Sequence, residues 1–455
     1  MKSHAFSRVL TVATVLLAAP ALAEQYGPLE ISGFAKDEYH FCDNCSDGLV
    51  NKSAYDPRGV LNPPDPMVNQ GGPSADKYEN LGLVQLTLGL SHEFDNAVRI
   101  EGVVSGRMRN WDADIYDNWM TDLYADIAHP RYGTLSVGKM TSRSWTRSDS
   151  FAYPLGLSSP WAESGAGYSI FPEAVRYSTR LFEIPVGKIM LEGSYGQAKS
   201  RKPLNPQSSV KPPPDPWIYE LFVQYSNEKN LVELIYQQSS GGRQSSFSKG
   251  AFYGAQGNTN GLVSSPDYET PTENVLMLMG TYWMNQHWNF SYGLKRSDWS
   301  GQAQQCDYGP VSPVESECFW DQAGFNYSND INKAYSAVVY DFMLGAAYVL
   351  NDKWTFTAGG VYLNKASTNN PVEWGQDNTA TFLNLGVYRN VPEIYKNIQV
   401  YLGIGRVMYD RQGPAPLSMP SNVAFGGVDP RTSETGNIIT LGVNFLLPGT
   451  TNRDF

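Results

Sequence analysis

Residues 97–110 read AVRIEGVVSGRMRN, and the reading of this stretch decides the fold. Val98, Ile100, Gly102, Val104, Gly106 and Met108 fall on one side of an extended chain, with Arg99, Glu101, Val103, Ser105, Arg107 and Arg109 on the other. A period of two with one apolar and one charged face is the mark of a β-strand. In a soluble sandwich the charged face would meet bulk water; in a closed barrel it would be the wall of an aqueous lumen.

Working outward, the same period recurs at 30–41, 78–94, 117–128, 132–142, 174–180, 187–197, 217–226, 231–239, 273–284, 288–299, 335–350, 354–364, 379–390, 398–410 and 435–447, which predicts sixteen strands in all. The connections alternate in length. They are short at Asp95, Pro130, Pro185, Asn227, Asn285, Asn351 and Pro392 and long between. Soluble sandwiches have no such rule, whereas outer-membrane barrels pair short periplasmic turns with long external loops. The expectation is an all-β, transmembrane antiparallel barrel of sixteen strands. Closure satisfies every backbone group in lipid, and sixteen strands leave a lumen too wide for side chains to fill.

The N-terminus agrees with export. Lys2 and Arg8 precede an apolar run over 9–19, then Pro20 and Ala21-Leu22-Ala23. This reads as a signal peptide over 1–23, cleaved after Ala23, because the run is far shorter than the roughly 20 residues of a spanning helix. Residues 24–455 are expected to form a single barrel domain. The formal charge of −11 argues against nucleic acid as a partner. Aromatic residues at 13% suit strands and membrane interfaces. The cysteines fall in two local pairs, Cys42/Cys45 and Cys306/Cys318, both placed in predicted loops. In an exported chain they read as two disulfides, the alternative being one four-cysteine metal site. No cofactor motif is visible, neither a nucleotide-binding glycine loop nor a nucleophile elbow.

Residues 146–173, TRSDSFAYPLGLSSPWAESGAGYSIFPE, stand between the fifth and sixth strands as the third long loop. Around this loop the sequence resembles the sixteen-stranded Gram-negative porin family. The residues that carry the likeness are Gly133-Thr134-Leu135-Ser136-Val137-Gly138-Lys139 before the loop and Ala174-Val175-Arg176-Tyr177-Ser178 after it. The resemblance implies a homotrimer in the outer membrane, folded by the outer-membrane assembly machinery. It would pass ions and small hydrophilic solutes by diffusion. It also implies that the third loop folds inward as a constriction, acidic on the loop and basic on the wall. By position the acidic side would be Asp149, Glu163 and Glu173, and the basic side Lys36, Arg99, Arg107 and Arg109. Lys139 occupies a basic position of the family strand, but alternation places it outward with Leu135 and Val137 unless a bulge turns it in. Tyr153, Trp161, Tyr168 and Phe171 could form an aromatic track for a solute, or pack the loop on the wall.

Three other functions stay open at this level. A substrate-specific channel for a sugar, organic acid or aromatic solute would share every feature above. A membrane-barrel enzyme would need a proton-transfer residue, for which His40, near Asp37 and Glu38, is the candidate. His92, His129 and His287 fall beside predicted periplasmic turns. The third option is a soluble, lectin-like secreted β-protein.

Overall fold

The computed structural model describes residues 29–43, 78–109, 120–151, 161, 170–197, 217–240, 262–263, 272–301, 304–306, 318–319, 335–364, 367–368, 379–395, 397–409 and 435–447. Sixteen long strands make the wall: β1 (Leu29–Asp43), β2 (Tyr78–Glu93), β3 (Arg99–Arg109), β4 (Met120–His129), β5 (Gly133–Thr141), β6 (Ile170–Ser178), β7 (Gly187–Gln197) and β8 (Trp217–Ser226) form the first half. The second half is β9 (Asn230–Ser240), β10 (Thr272–Trp283), β11 (Trp288–Gly301), β12 (Tyr335–Val349), β13 (Trp354–Leu363), β14 (Ala380–Asn390), β15 (Ile398–Tyr409) and β16 (Thr435–Leu446). The helix α1 (Arg143–Ser150) follows β5. Each strand pairs antiparallel with the next, and β1 pairs with β16 from Phe34/Leu446 to Asp43/Asn437, which closes the barrel.

Alternation sets the two faces as expected. Leu123 and Ile127 of β4, Leu221 of β8, Leu344 of β12, Leu385 of β14 and Leu441 of β16 are all exposed on the outside. A soluble monomer does not carry an apolar belt of that extent; in a bilayer it meets acyl chains. The inward positions carry Gln85, Thr87, Ser105, Asp122, Glu192, Glu220, Glu233, Gln237, Lys295 and Asp341.

Three of the short turns are built the same way. The side-chain oxygen of Asn227 accepts the N–H groups of Lys229 (2.9 Å) and Asn230 (2.7 Å). Asn285 does the same for His287 and Trp288, and Asn351 for Lys353 and Trp354. The asparagine thus replaces backbone acceptors that so tight a reversal cannot supply. Asn285→Ala is expected to lower unfolding free energy by about 1 kcal/mol, measured by denaturant-driven unfolding in detergent, while Asn285→Asp, which keeps the acceptor, stays near wild type.

Two features differ from the sequence expectation beyond a few residues at strand ends. The sixth strand starts at Ile170 rather than 174, so Phe171 and Glu173 belong to the wall and not to the loop. The shift is possible because β5 and β6 change register between Gly138/Ala174 and Met140/Phe171. Pro172, which has no N–H to donate, sits inside that irregularity. Gly138 has φ +141, and a Cβ there would lie 2.4 Å from the Leu123 carbonyl oxygen, so the bulge needs glycine. Second, the cysteines are not all in loops. Cys42 lies in β1, with Ile438 as its Cα partner, while Cys45 is outside the described residues. Cys306 and Cys318 are direct partners in a small sheet formed by Leu262–Val263, Gln304–Cys306 and Cys318–Phe319. Directly opposed antiparallel positions have the Cα separation a disulfide requires. We propose that this pair is bonded; mass spectrometry of a non-reduced digest should find the two peptides joined.

Candidate functional site

The chain leaves β5 at Thr141 and turns at once into α1. Ser142 caps the helix by accepting the Trp145 N–H at 3.1 Å. Ser150 hydroxyl bonds back to the Thr146 carbonyl at 2.9 Å, and Ser148 hydroxyl to that of Ser144, so buried serines stay satisfied within the helix.

Three glutamates of the wall hold this helix. Glu220 of β8 accepts the first two helical N–H groups, Arg143 at 2.6 Å and Ser144 at 2.9 Å, and the amide of Gln237 at 3.0 Å. A carboxylate is thereby set against the positive end of α1. Glu192 of β7 takes both arms of Arg143 at 2.8 Å each, along with Arg176 of β6 at 3.1 Å and the Ser178 hydroxyl at 2.6 Å. Glu233 of β9 pairs with Arg147 at 2.6 Å and with the Gln224 amide at 2.7 Å. One turn separates Arg143 from Arg147, so both point to the same wall. Arg176 also donates to Ser194 and to the Thr141 carbonyl, tying β6 to the end of β5. Buried charges need this degree of pairing to be tolerated.

The other side of α1 reaches β3. The Arg107 guanidinium lies over the Trp145 ring at 4.6 Å and within 5.9 Å of the Phe34 ring, and its Nε donates to Gln85 at 2.8 Å. Phe34, Gln85 and Arg107 form one row across β1, β2 and β3. Further along the loop, Trp161 is fully buried against β10 and β11, its indole N–H donating to the Met279 sulfur at 3.1 Å.

The interior is therefore lopsided. The inward residues Glu220, Phe222, Ile235, Gln237, Val275, Met277, Lys295 and Asp341 of β8 to β12 are 2% exposed or less. Inward residues in so wide a barrel reach that level only when something covers them. On the opposite wall the Lys36 and Arg99 side chains are 26% and 50% exposed, and on α1 that of Arg143 is 30% exposed. Of the clamp arginines, Arg143 keeps 30% of its side chain exposed, Arg147 15% and Arg176 8%, while the Glu192 and Glu233 side chains are 1% and 2% exposed.

The expected site residues divide as follows. Arg107 meets α1. Lys36 pairs with Glu38 at 2.9 Å, and Arg99 with Glu101 at 3.1 Å, each on its own strand. Lys139 faces outward: its partner on β4 is the exposed Leu123, and the bulge beside it does not turn it in. Glu173 is exposed on the side of β6 that carries Val175 and Tyr177, away from the lumen. Phe171 packs with Met140, Ala174 and Ile218, a wall contact. For Arg109 and Asp149 only the backbone is described, and Tyr153, Glu163 and Tyr168 lie outside the described residues. His40 stands 3.0 Å from the Thr440 hydroxyl and 3.5 Å from the Glu38 carboxylate. His92, His129 and His287 sit beside the short turns, His92 against Phe94 and His129 against Tyr132.

Within the described residues α1 carries Arg143 and Arg147 against Glu192, Glu220 and Glu233 of one wall, while Arg107 meets it from the other. Sequence reasoning missed Arg143, Arg147, Arg176, Glu192, Glu220 and Glu233. No local signal singles these glutamates out, since each occupies an ordinary inward position beside polar partners such as Ser194, Gln224 and Gln237.

No family model and no curated protein sequence matches the chain. Solved structures do. The outer-membrane channel DcaP of Acinetobacter baumannii aligns with TM-score 0.55 at 11% identity, over 92% of this chain and 96% of that one. The anion-selective porin of Comamonas acidovorans gives 0.53 at 10%, over 92% and 99%. OmpT of Vibrio cholerae, folded in vitro, gives 0.51 at 12%, over 94% and 100%. Closed strand order, lipid-type outer face, inward loop and these likenesses agree that the chain has the fold of the sixteen-stranded outer-membrane porins.

Proposed function

We propose that the chain is an outer-membrane channel through which ions and small hydrophilic solutes diffuse passively, with a preference for anions. The observation that carries this is the lopsided interior. Solutes pass along the β1–β4 wall, beside α1, where Lys36 and Arg99 stand among Glu30, Glu38, Glu101 and Asp126, and where Arg107 of the wall and Arg143 of α1 add cations at the narrow side. The carboxylates that balance the clamp are withdrawn from that path. Exposed cations with buried counter-charges raise the local concentration of anions. The anion-selective porin among the structural neighbours supports this reading. Localisation to the outer membrane of a Gram-negative bacterium and a homotrimeric state belong to the same proposal.

Proteoliposome swelling tests it. Small sugars should enter and larger ones be excluded, with small organic anions entering faster than neutral solutes of equal size. Vesicles that do not swell with any solute would refute the channel. A second reading, a channel adapted to one class of organic anion, is favoured by the Arg107 cation between the Trp145 and Phe34 rings. Saturation of flux with solute concentration would distinguish it.

A further inference from the structure

We propose that Trp161 is the positioning residue that gives the channel a single fixed bore. The proposal rests on the reading of the chain as a channel. α1 is clamped to β7, β8 and β9, which holds only the first part of the third loop. Trp161, eleven positions beyond Ser150, is held by a second and separate seat on β10 and β11. Together the two seats tie the loop to five adjacent strands.

The seat is specific for this side chain. Met279 and Gly293 are direct partners across β10 and β11. A Cβ added at Gly293 would lie 2.8 Å from the Trp161 ring, so only glycine leaves room for the indole to lie on the wall. The indole N–H is taken by the Met279 sulfur. Lys295, itself fully buried, donates to the Trp161 carbonyl and holds its ammonium 4.7 Å from the ring centroid. Ring face, ring N–H and backbone carbonyl are thus all engaged at once. Between α1 and the start of β6 at Ile170, the Trp161 seat is a further point of attachment to the wall.

The test is single-channel recording in planar bilayers with heat-modifiable gel mobility as the check on barrel folding. Wild type is expected to show one narrow conductance level. Trp161→Ala should widen the distribution of levels about twofold, with the sign of ion preference retained. Trp161→Phe, which keeps a ring in the seat, should stay narrow. Gly293→Val expels the indole and should broaden the levels like Trp161→Ala, while adding it to Trp161→Ala should broaden them no further. A folded Trp161→Ala protein with the wild-type level, or a Gly293→Val effect that persists undiminished without Trp161, would overturn the proposal. No conductance in wild type would instead sink the channel reading itself.

Discussion

Replacing Glu220 by alanine is expected to release α1 from the wall and to produce the largest loss of order in the molecule. This one carboxylate accepts two backbone N–H groups at the start of the helix and the Gln237 amide, and lies 3.9 Å from Arg176. Removing one partner of a buried charge network costs roughly 3–5 kcal/mol, because the remaining charges stay buried without compensation. Here Arg176, 7% exposed, would rely mainly on the Glu192 carboxylate, which it shares with Arg143. The strand ladders do not depend on Glu220, so the barrel should still form. The expected result is a folded barrel with lower thermal stability and larger, unsteady currents. Glu220→Gln retains an acceptor for one helical N–H and should fall between. A Glu220→Ala protein as stable as wild type, with the same current, would show that the clamp does not hold the loop.

The second large effect is expected at Arg107. Its cation stands where α1 approaches the open wall, over Trp145 and bonded to Gln85. Arg107→Glu changes the local charge by two units. For an ion passing about 6 Å away in water this alters the energy by about 1.4 kcal/mol, a factor of ten. Salt with a Debye length of about 10 Å trims the effect, so a several-fold fall in the anion-to-cation permeability ratio is expected. Arg107→Gln should give part of that fall. Lys139→Glu, on the outer face, should give none, and the contrast separates a local effect in the path from a change in overall charge.

How much of this was legible in the sequence follows from the physics of each feature. The sixteen strands were legible because lipid outside and water inside impose a period of two on every strand. The turns were legible because Asn227, Asn285 and Asn351 do the same local work wherever they occur. The bulge at Gly138 was not. Its register shift depends on Phe171 pairing with Met140 of β5, a contact between strands separated by the whole third loop, and it carried Glu173 and Phe171 out of the predicted loop. The clamp was hidden for a similar reason. Glu192, Glu220 and Glu233 look in sequence like ordinary pore-wall acids, and only the fold brings them to Arg143 and Arg147. The inward face of Arg107 was legible because it shares that face with Arg99 and Ser105 on one strand, while its place beside the third loop was only what the family resemblance implied.

The measurement that bears most directly on the account is the reversal potential of the purified protein in planar bilayers across a KCl gradient, for wild type and for Arg107→Glu. A stable conductance whose reversal potential reports preference for chloride, weakened several-fold in the variant, is the predicted result. Absence of conductance, or a cation preference that Arg107→Glu leaves unchanged, would contradict it.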